Sequence, residues 1–190
     1  MVPYRLTARQ ERYLVCKRLC DVVLAAALIV LLAAPMLVIA LAVKLTGPGE
    51  PVLFRQKRLG RDEKLFTLYK FRSMSHGRQV TGLGRFLRIA SLDELPQLFL
   101  VLTGRMSLIG PRPLVPEEED MRLLRRKMGV YQLRPGLSGL AQVHGRDRLD
   151  AAAKAAYDQA YLEDLSFRQD MSIFFLTVIK VLKRADIENK

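Results

Sequence analysis

The sequence predicts an α+β chain, mostly helical, folded as one domain over residues 1–190. Three observations lead there. At 190 residues the chain is long enough for one real core and short for two. Four long segments read as helices: an apolar run, a charged segment with end signals, an alanine-rich segment and a C-terminal segment with helical apolar spacing. Only two short neighbouring segments, "VLFRQ" and "KLFTLY", have the makeup of strands.

The N-terminal half is basic and apolar at once. The formal net charge is +12; residues 1–90 hold 16 Lys/Arg against 5 Asp/Glu, and residues 91–190 hold 15 against 14. The coincidence of cations with the longest apolar run points to an anionic membrane surface ahead of nucleic acid. Zinc-finger spacing and an aromatic-rich RNA-binding strand are both missing. Cys16 and Cys20 lie four apart on the basic flank, too few ligands for a metal site, and read as ordinary apolar or interfacial positions.

Between Asp21 and Lys44 run 22 uncharged residues. As a straight helix they would reach about 33 Å, enough for a bilayer core of about 30 Å. The run is too long for a signal peptide's apolar region. Both flanks are basic, with Lys17 and Arg18 before it and Lys44, Arg55, Lys57 and Arg58 after it. The positive-inside rule then puts both ends on one side, which a straight helix cannot satisfy. Pro35 removes a backbone donor and supplies a kink. The residues alone leave two readings open, a helix that enters and returns and one that crosses.

"LTGPGEP" breaks the chain, and "VLFRQ" and "KLFTLY" then form a β-hairpin joined by "KRLGRDE", with Gly60 as turn residue. "HGRQVTGLG" is a loop, and "SLIGPRPLVPEE" is a proline-rich break. A helix over 117–128 has acids in its first turn, Arg125, Arg126 and Lys127 in its last, and Gly129 as its stop; its charges read as a solvated face. "LRPGLSGLAQVHGRDR" is a second Gly/Pro-rich loop, carrying Arg134, His144, Arg146 and Arg148, with His144 as a polar loop residue. "LDAAAKAAYDQAYLEDL" is an alanine-rich helix. Met171, Phe174, Phe175, Val178 and Leu182 then recur at helical spacing, with Lys180 and Lys183 near the end. This last helix is amphipathic, packed on the core or lying in a membrane interface.

The chemistry concentrates in "SLDELPQ". Ser91 and Glu94 fit a capping box, but a Ser91 cap would put Pro96 where its missing N–H costs a bond. Capping from Asp93 moves Pro96 to the third helical position, and the helix runs to about Thr103 with Gly104 as stop. Either way Asp93 and Glu94 sit in the positive field of a helix start, which favours their ionised forms. An ionised carboxylate beside fixed cations also suits a nucleophile for phosphorus. The candidate cations are Lys70 and Arg72 in "YKFRSM", Arg88, Arg112 in "GPRP", and Arg146. The cap and the nucleophile are compatible readings.

Four segments in order, from "KRLCDVV" through "QKRLGR", then "FTLYKFRSM", "LRIASLDELPQLFLVLTGRMSLIGPRP" and "RPGLSGLAQVHGR", resemble the bacterial sugar transferases, specifically the small monotopic phosphoglycosyl transferases. The likeness covers about residues 15–148. It implies a re-entrant membrane helix broken at Pro35 within residues 15–44, a cytoplasmic catalytic region over 45–190, and interfacial amphipathic helices around a small core. It implies residence at the cytoplasmic face of a bacterial inner membrane, in contact with its phospholipid. It implies transfer of a phospho-sugar from a UDP-sugar to a polyprenol phosphate such as undecaprenyl phosphate, releasing UMP. By the same resemblance Asp93 is the nucleophile that forms a phosphoglycosyl aspartate and sits with Mg²⁺. Glu94 assists it. Lys70 or Arg72, with Arg88 and Arg112, bind substrate, and Pro111–Pro113 hold the nucleotide end; Arg146 joins the substrate-binding candidates as a neighbouring cation. The chain departs from the family pattern at Ala34, Leu100, Arg105 and His144, and its loop after "KFRSM" is short. A salt-sensitive membrane adaptor without catalysis and a membrane-anchored nucleic-acid binder are the competing classes, and the joint motif set disfavours both.

Overall fold

A computed structural model describes residues 4–47, 49–75, 79–145 and 148–183. Most of these residues are helical. The long helix α1 spans Ala8–Leu31, and α2 spans Ala33–Thr46. Thr7 and Gln10 form a capping box that starts α1. The two helices meet at Leu32 with a bend of 62°. Pro35 explains its position. The ring of a proline clashes with the carbonyl four residues earlier, here that of Leu31, the last residue of α1. Pro35 itself falls at the third position of α2, where no intrahelical bond is owed.

Neither helix alone is long and apolar enough to cross a membrane, but the bent pair together is. Along it Leu19, Val23, Leu24, Val30, Leu31, Leu37, Val38, Leu41 and Leu45 are exposed. A continuous apolar surface of this extent on a small protein marks a contact with something apolar.

The hairpin is as expected, with longer strands. β1 (Leu53–Leu59) pairs antiparallel with β2 (Leu65–Phe71), Leu53 opposite Phe71. The turn differs in detail. Gly60 is extended, at φ −106°, while Asp62 and Glu63 take the left-handed positions at φ 55° and 56°. Helix α3 (Gly82–Ile89) begins inside the segment read as a loop, because Thr81 caps it by accepting from the Gly84 amide.

"SLDELPQ" forms a 3₁₀ helix over Leu92–Gln97 that runs into α4 (Leu98–Leu102). Gly104 follows at φ 82°. Then come β3 (Ser107–Ile109), α5 (Glu119–Met128), β4 (Gly136–Ser138), α6 (Leu140–Val143), α7 (Ala151–Glu163) and α8 (Phe167–Lys183). β3 and β4 pair in parallel, Ser107 beside Gly136 and Ile109 beside Ser138.

The base of α1 is fastened to the rest of the chain. Asp21 accepts from Ser107 Oγ at 2.7 Å and the Leu108 amide at 3.1 Å. Lys17 and Tyr13 both reach Asp170 of α8, at 2.6 and 2.7 Å. Tyr161 donates to the other oxygen of Asp170 at 2.7 Å. Burial and the Asp170 carboxylate push the Tyr161 phenol well above its ordinary range, so it stays a donor. The side of α8 that meets the core is Asp170 and Ile173, with Leu176 packed against the same cluster. Phe174, Phe175, Val178 and Leu182 are exposed. The helix thus packs on the core by that side and leaves its Phe-rich stripe exposed.

Candidate active site

The core-facing row of β2 is Phe66, Leu68 and Lys70, spaced by two. The first two are buried in apolar contacts. The third ends the row beneath the 3₁₀ helix, where Lys70 Nζ meets Glu94 Oε1 at 2.5 Å, both side chains 18% exposed. The cap expected at Asp93, with Pro96 third in the helix, is not what forms: the helix starts at Leu92 in 3₁₀ form, its cap position is Ser91, two residues earlier, and Pro96 is its fifth residue. Ser91 is left-handed, at φ 56°, and its side chain caps nothing. Both acids still lie in its first turn. Asp93 is buried, at 7% exposure, while Glu94 faces a cleft.

α3 ends at the same cleft and delivers Arg88, whose Nε donates to Ser73 Oγ at 2.9 Å. The opposite rim is the "GPRP" loop. Its three consecutive carbonyls are all held: Pro111 by the Gly136 amide at 2.9 Å, Arg112 by Arg125 Nη1 at 2.7 Å, and Pro113 by Arg58 Nη1 at 3.0 Å. With its backbone so fixed, the loop presents the Arg112 side chain to the cleft. Arg58 is largely buried. Burial, and then the nearby Arg112 guanidinium, lower its pKa below the ordinary value.

The cleft has a volume of about 230 Å³. Arg88, Ser91, Glu94 and Arg112 line it. So do Ser138 and Gln142, with Thr177 and Lys180 of α8. Three of these lining residues are cations, and the one lining carboxylate already has Lys70. Such a balance suits phosphate groups.

The structure thus brings Lys70, Arg88, Glu94 and Arg112 together, with Asp93 directly adjacent and Pro111 and Pro113 framing the loop. Arg72 is tied elsewhere, by Nε to the Pro51 carbonyl at 2.8 Å and by Nη1 to Glu50 at 3.2 Å, at the exit from α2. Arg146 lies outside the described residues. Three features escaped the sequence reading. Lys180, a cleft residue, looked like the cationic end of a helix. Arg58 looked like a membrane-flanking cation. Arg125, read as part of a solvated face, is buried against Asp158 at 2.8 and 2.5 Å.

Among the described residues no three His, Cys, Asp or Glu side chains cluster as a metal cage. The adjacent Asp93 and Glu94 still fit Mg²⁺, which commonly takes one or two carboxylates and completes its shell with water and substrate phosphates.

The family model described as "Bacterial sugar transferase" matches residues 12–184. A UDP-glucose:undecaprenyl-phosphate glucose-1-phosphate transferase of Klebsiella pneumoniae is 42% identical over 187 residues, covering 88% of this chain and 40% of that protein. An undecaprenyl-phosphate galactose phosphotransferase of Salmonella typhimurium is 36% identical, over 94% of this chain and 42% of its own length. An uncharacterized sugar transferase of Bacillus subtilis is 37% identical, over 92% of this chain and 91% of its own. The chain spans about two fifths of the length of the first two relatives. A family match across nearly the whole sequence, set on a cleft that joins its motifs, makes this chain a member of the bacterial sugar transferase family.

Proposed function

We propose that this chain transfers a phospho-sugar from a UDP-sugar to undecaprenyl phosphate at the cytoplasmic face of the bacterial inner membrane. The observation that carries the reading is one cleft lined by Arg88, Arg112 and the Lys70-paired Glu94, with a second carboxylate, Asp93, beside it.

In this mechanism an Asp93 carboxylate oxygen attacks the phosphorus bearing the sugar. The bond from that phosphorus to the bridging oxygen breaks, and UMP departs with the electron pair. An oxygen of the acceptor phosphate then attacks the same phosphorus. The bond to Asp93 breaks, the carboxylate is regenerated, and polyprenyl-diphosphate sugar is formed. Arg88 and Arg112 bind phosphate oxygens and hold the line of attack, which is most of what phosphoryl transfer asks of a protein. Glu94, oriented by Lys70, positions the reacting groups. Asp93 would hold Mg²⁺, which when bound would supply neutralisation of developing phosphate charge. The bent α1–α2 pair enters the bilayer and returns, and the Phe face of α8 lies in the interface. Exposed apolar residues on all three helices support this placement.

The test is a panel of UDP-sugars with undecaprenyl phosphate and Mg²⁺, scoring UMP. One sugar should give robust release, abolished by Asp93→Asn while the variant still floats with vesicles. Release that survives Asp93→Asn for every active sugar would overturn the nucleophile.

A further inference from the structure

The C-terminal half of α8 has two unlike faces. Phe174, Phe175, Val178, Ile179 and Leu182 are exposed and share one side of the helix. Ile173, Thr177 and Lys180 follow the i, i+4, i+7 spacing of the other side. Ile173 is fully buried, and Thr177 Oγ1 lies 2.6 Å from Ser138 Oγ. These two contacts set the rotation of the helix about its axis. Lys180, one turn beyond Thr177, is thereby a cleft residue, lining the same space as Arg88 and Arg112. Val181 lines the same cleft beside it and joins it to the exposed apolar side.

A cation in this place matches an anion that arrives on an apolar chain. The reaction proposed above brings two phosphorylated substrates to one cleft. Arg88 lies in the last turn of the helix just before the carboxylate pair, and Arg112 sits on the "GPRP" loop. A second, separately bound phosphate monoester needs its own countercharge, and charge-assisted contacts to phosphate are the strong kind. Of the two substrates only the lipid one also gains from the Phe and Val surface that begins at Val181.

We propose that Lys180 Nζ binds the phosphate of the acceptor lipid, with the polyprenyl chain leaving the cleft over Val181 towards Phe174 and Val178. The inference rests on the phospho-sugar transfer reading and adds the acceptor's place within it.

Lys180→Ala and Lys180→Arg, assayed in vesicles with both substrates varied, test it. Lys180→Ala should raise KM for undecaprenyl phosphate roughly tenfold while KM for the UDP-sugar stays within about twofold, and Lys180→Arg should restore most of the loss. A second arm needs no turnover. Fluorescent polyprenyl phosphate should bind Asp93→Asn protein more tightly than Asp93→Asn/Lys180→Ala protein, and unphosphorylated polyprenol should not distinguish them. Unchanged acceptor KM and binding would overturn the proposal, as would a rise confined to the UDP-sugar. Vesicle flotation of Lys180→Ala that falls with the activity would overturn it too, giving the lysine to phospholipid headgroups. Failure of wild-type protein to release Asp93-dependent UMP would instead defeat the transfer reading, and the binding arm would still report on Lys180.

Discussion

Arg125 holds Asp158 with two nitrogens and the Arg112 carbonyl with a third. The two side chains are 4% and 1% exposed. One buried guanidinium therefore joins α5, α7 and the loop that presents Arg112. Removing it strands a buried carboxylate, so Arg125→Met should cost about 3–5 kcal/mol in denaturant unfolding of detergent-solubilised protein. The double variant Arg125→Met/Asp158→Leu removes both charges and should recover most of that stability. It cannot hold the Arg112 carbonyl. Its KM for the UDP-sugar should therefore remain raised although the fold is restored, which separates positioning from folding.

The Lys70–Glu94 pair predicts non-additive kinetics. Glu94→Gln should lower kcat about 100-fold, in the range for misplacing the reacting groups. Lys70→Met should cost about tenfold alone, through loss of a half-buried charged partner, and little more in the Glu94→Gln background. Steady-state rates of the four proteins complete the cycle. Full additivity would show that the two side chains act separately.

Topology can be read with a native thiol. Cys16 is exposed on α1 before the apolar run. With Cys20→Ser in place, an impermeant maleimide added to right-side-out or inverted vesicles should label Cys16 and an introduced Lys44→Cys from the same side. Labelling from opposite sides would make α1–α2 a crossing helix. Pro35→Ala restores a helical donor and relieves the clash with Leu31. It should therefore shift some molecules to opposite-side labelling.

Acid stability should report on the hairpin turn. Glu63 accepts from Arg126 and Arg122, and chiefly the Arg126 hydrogen bonds lower its pKa to about 2 from an ordinary 4.5. A carboxylate with a depressed folded-state pKa contributes stability above its unfolded-state value. That contribution is lost as pH falls from about 4.5 towards 2. The turn is solvent-exposed, so the effect is small. Glu63→Gln should flatten the melting-temperature profile across that window and change little in its slope above it.

What the sequence made legible was what neighbouring residues decide. The hairpin, the helix stop at Gly129, the alanine-rich α7 and the break near Pro35 all follow from short-range chemistry. Two of the errors share one physical origin, a partner distant in sequence. Arg72 lies in the same motif as Lys70, but Glu50, 22 residues earlier, ties it away from the cleft. Arg125 sits among surface-like charges, but Asp158, 33 residues later, draws it inside. Arg88, Glu94 and Arg112 were legible because they lie in compact motifs. Thr177 and Lys180 were not, because they become cleft residues only through the rotation of α8.

Gly110, Gly136 and Gly139 carry a consequence for transplanting these motifs. The Gly110 amide donates to the Ser138 carbonyl at 2.8 Å, and the Gly136 amide to Pro111. A Cβ on Gly136 would lie 2.2 Å from the Gly110 nitrogen, and one on Gly139 would lie 2.1 Å from the Gly110 oxygen. The "GPRP" and "RPGLSG" loops are therefore a single interlocked part made from two stretches of chain. A chimera that borrows one loop from a relative inherits a lock without its key. One that borrows both, with β3 and β4, carries the whole rim of the cleft across intact.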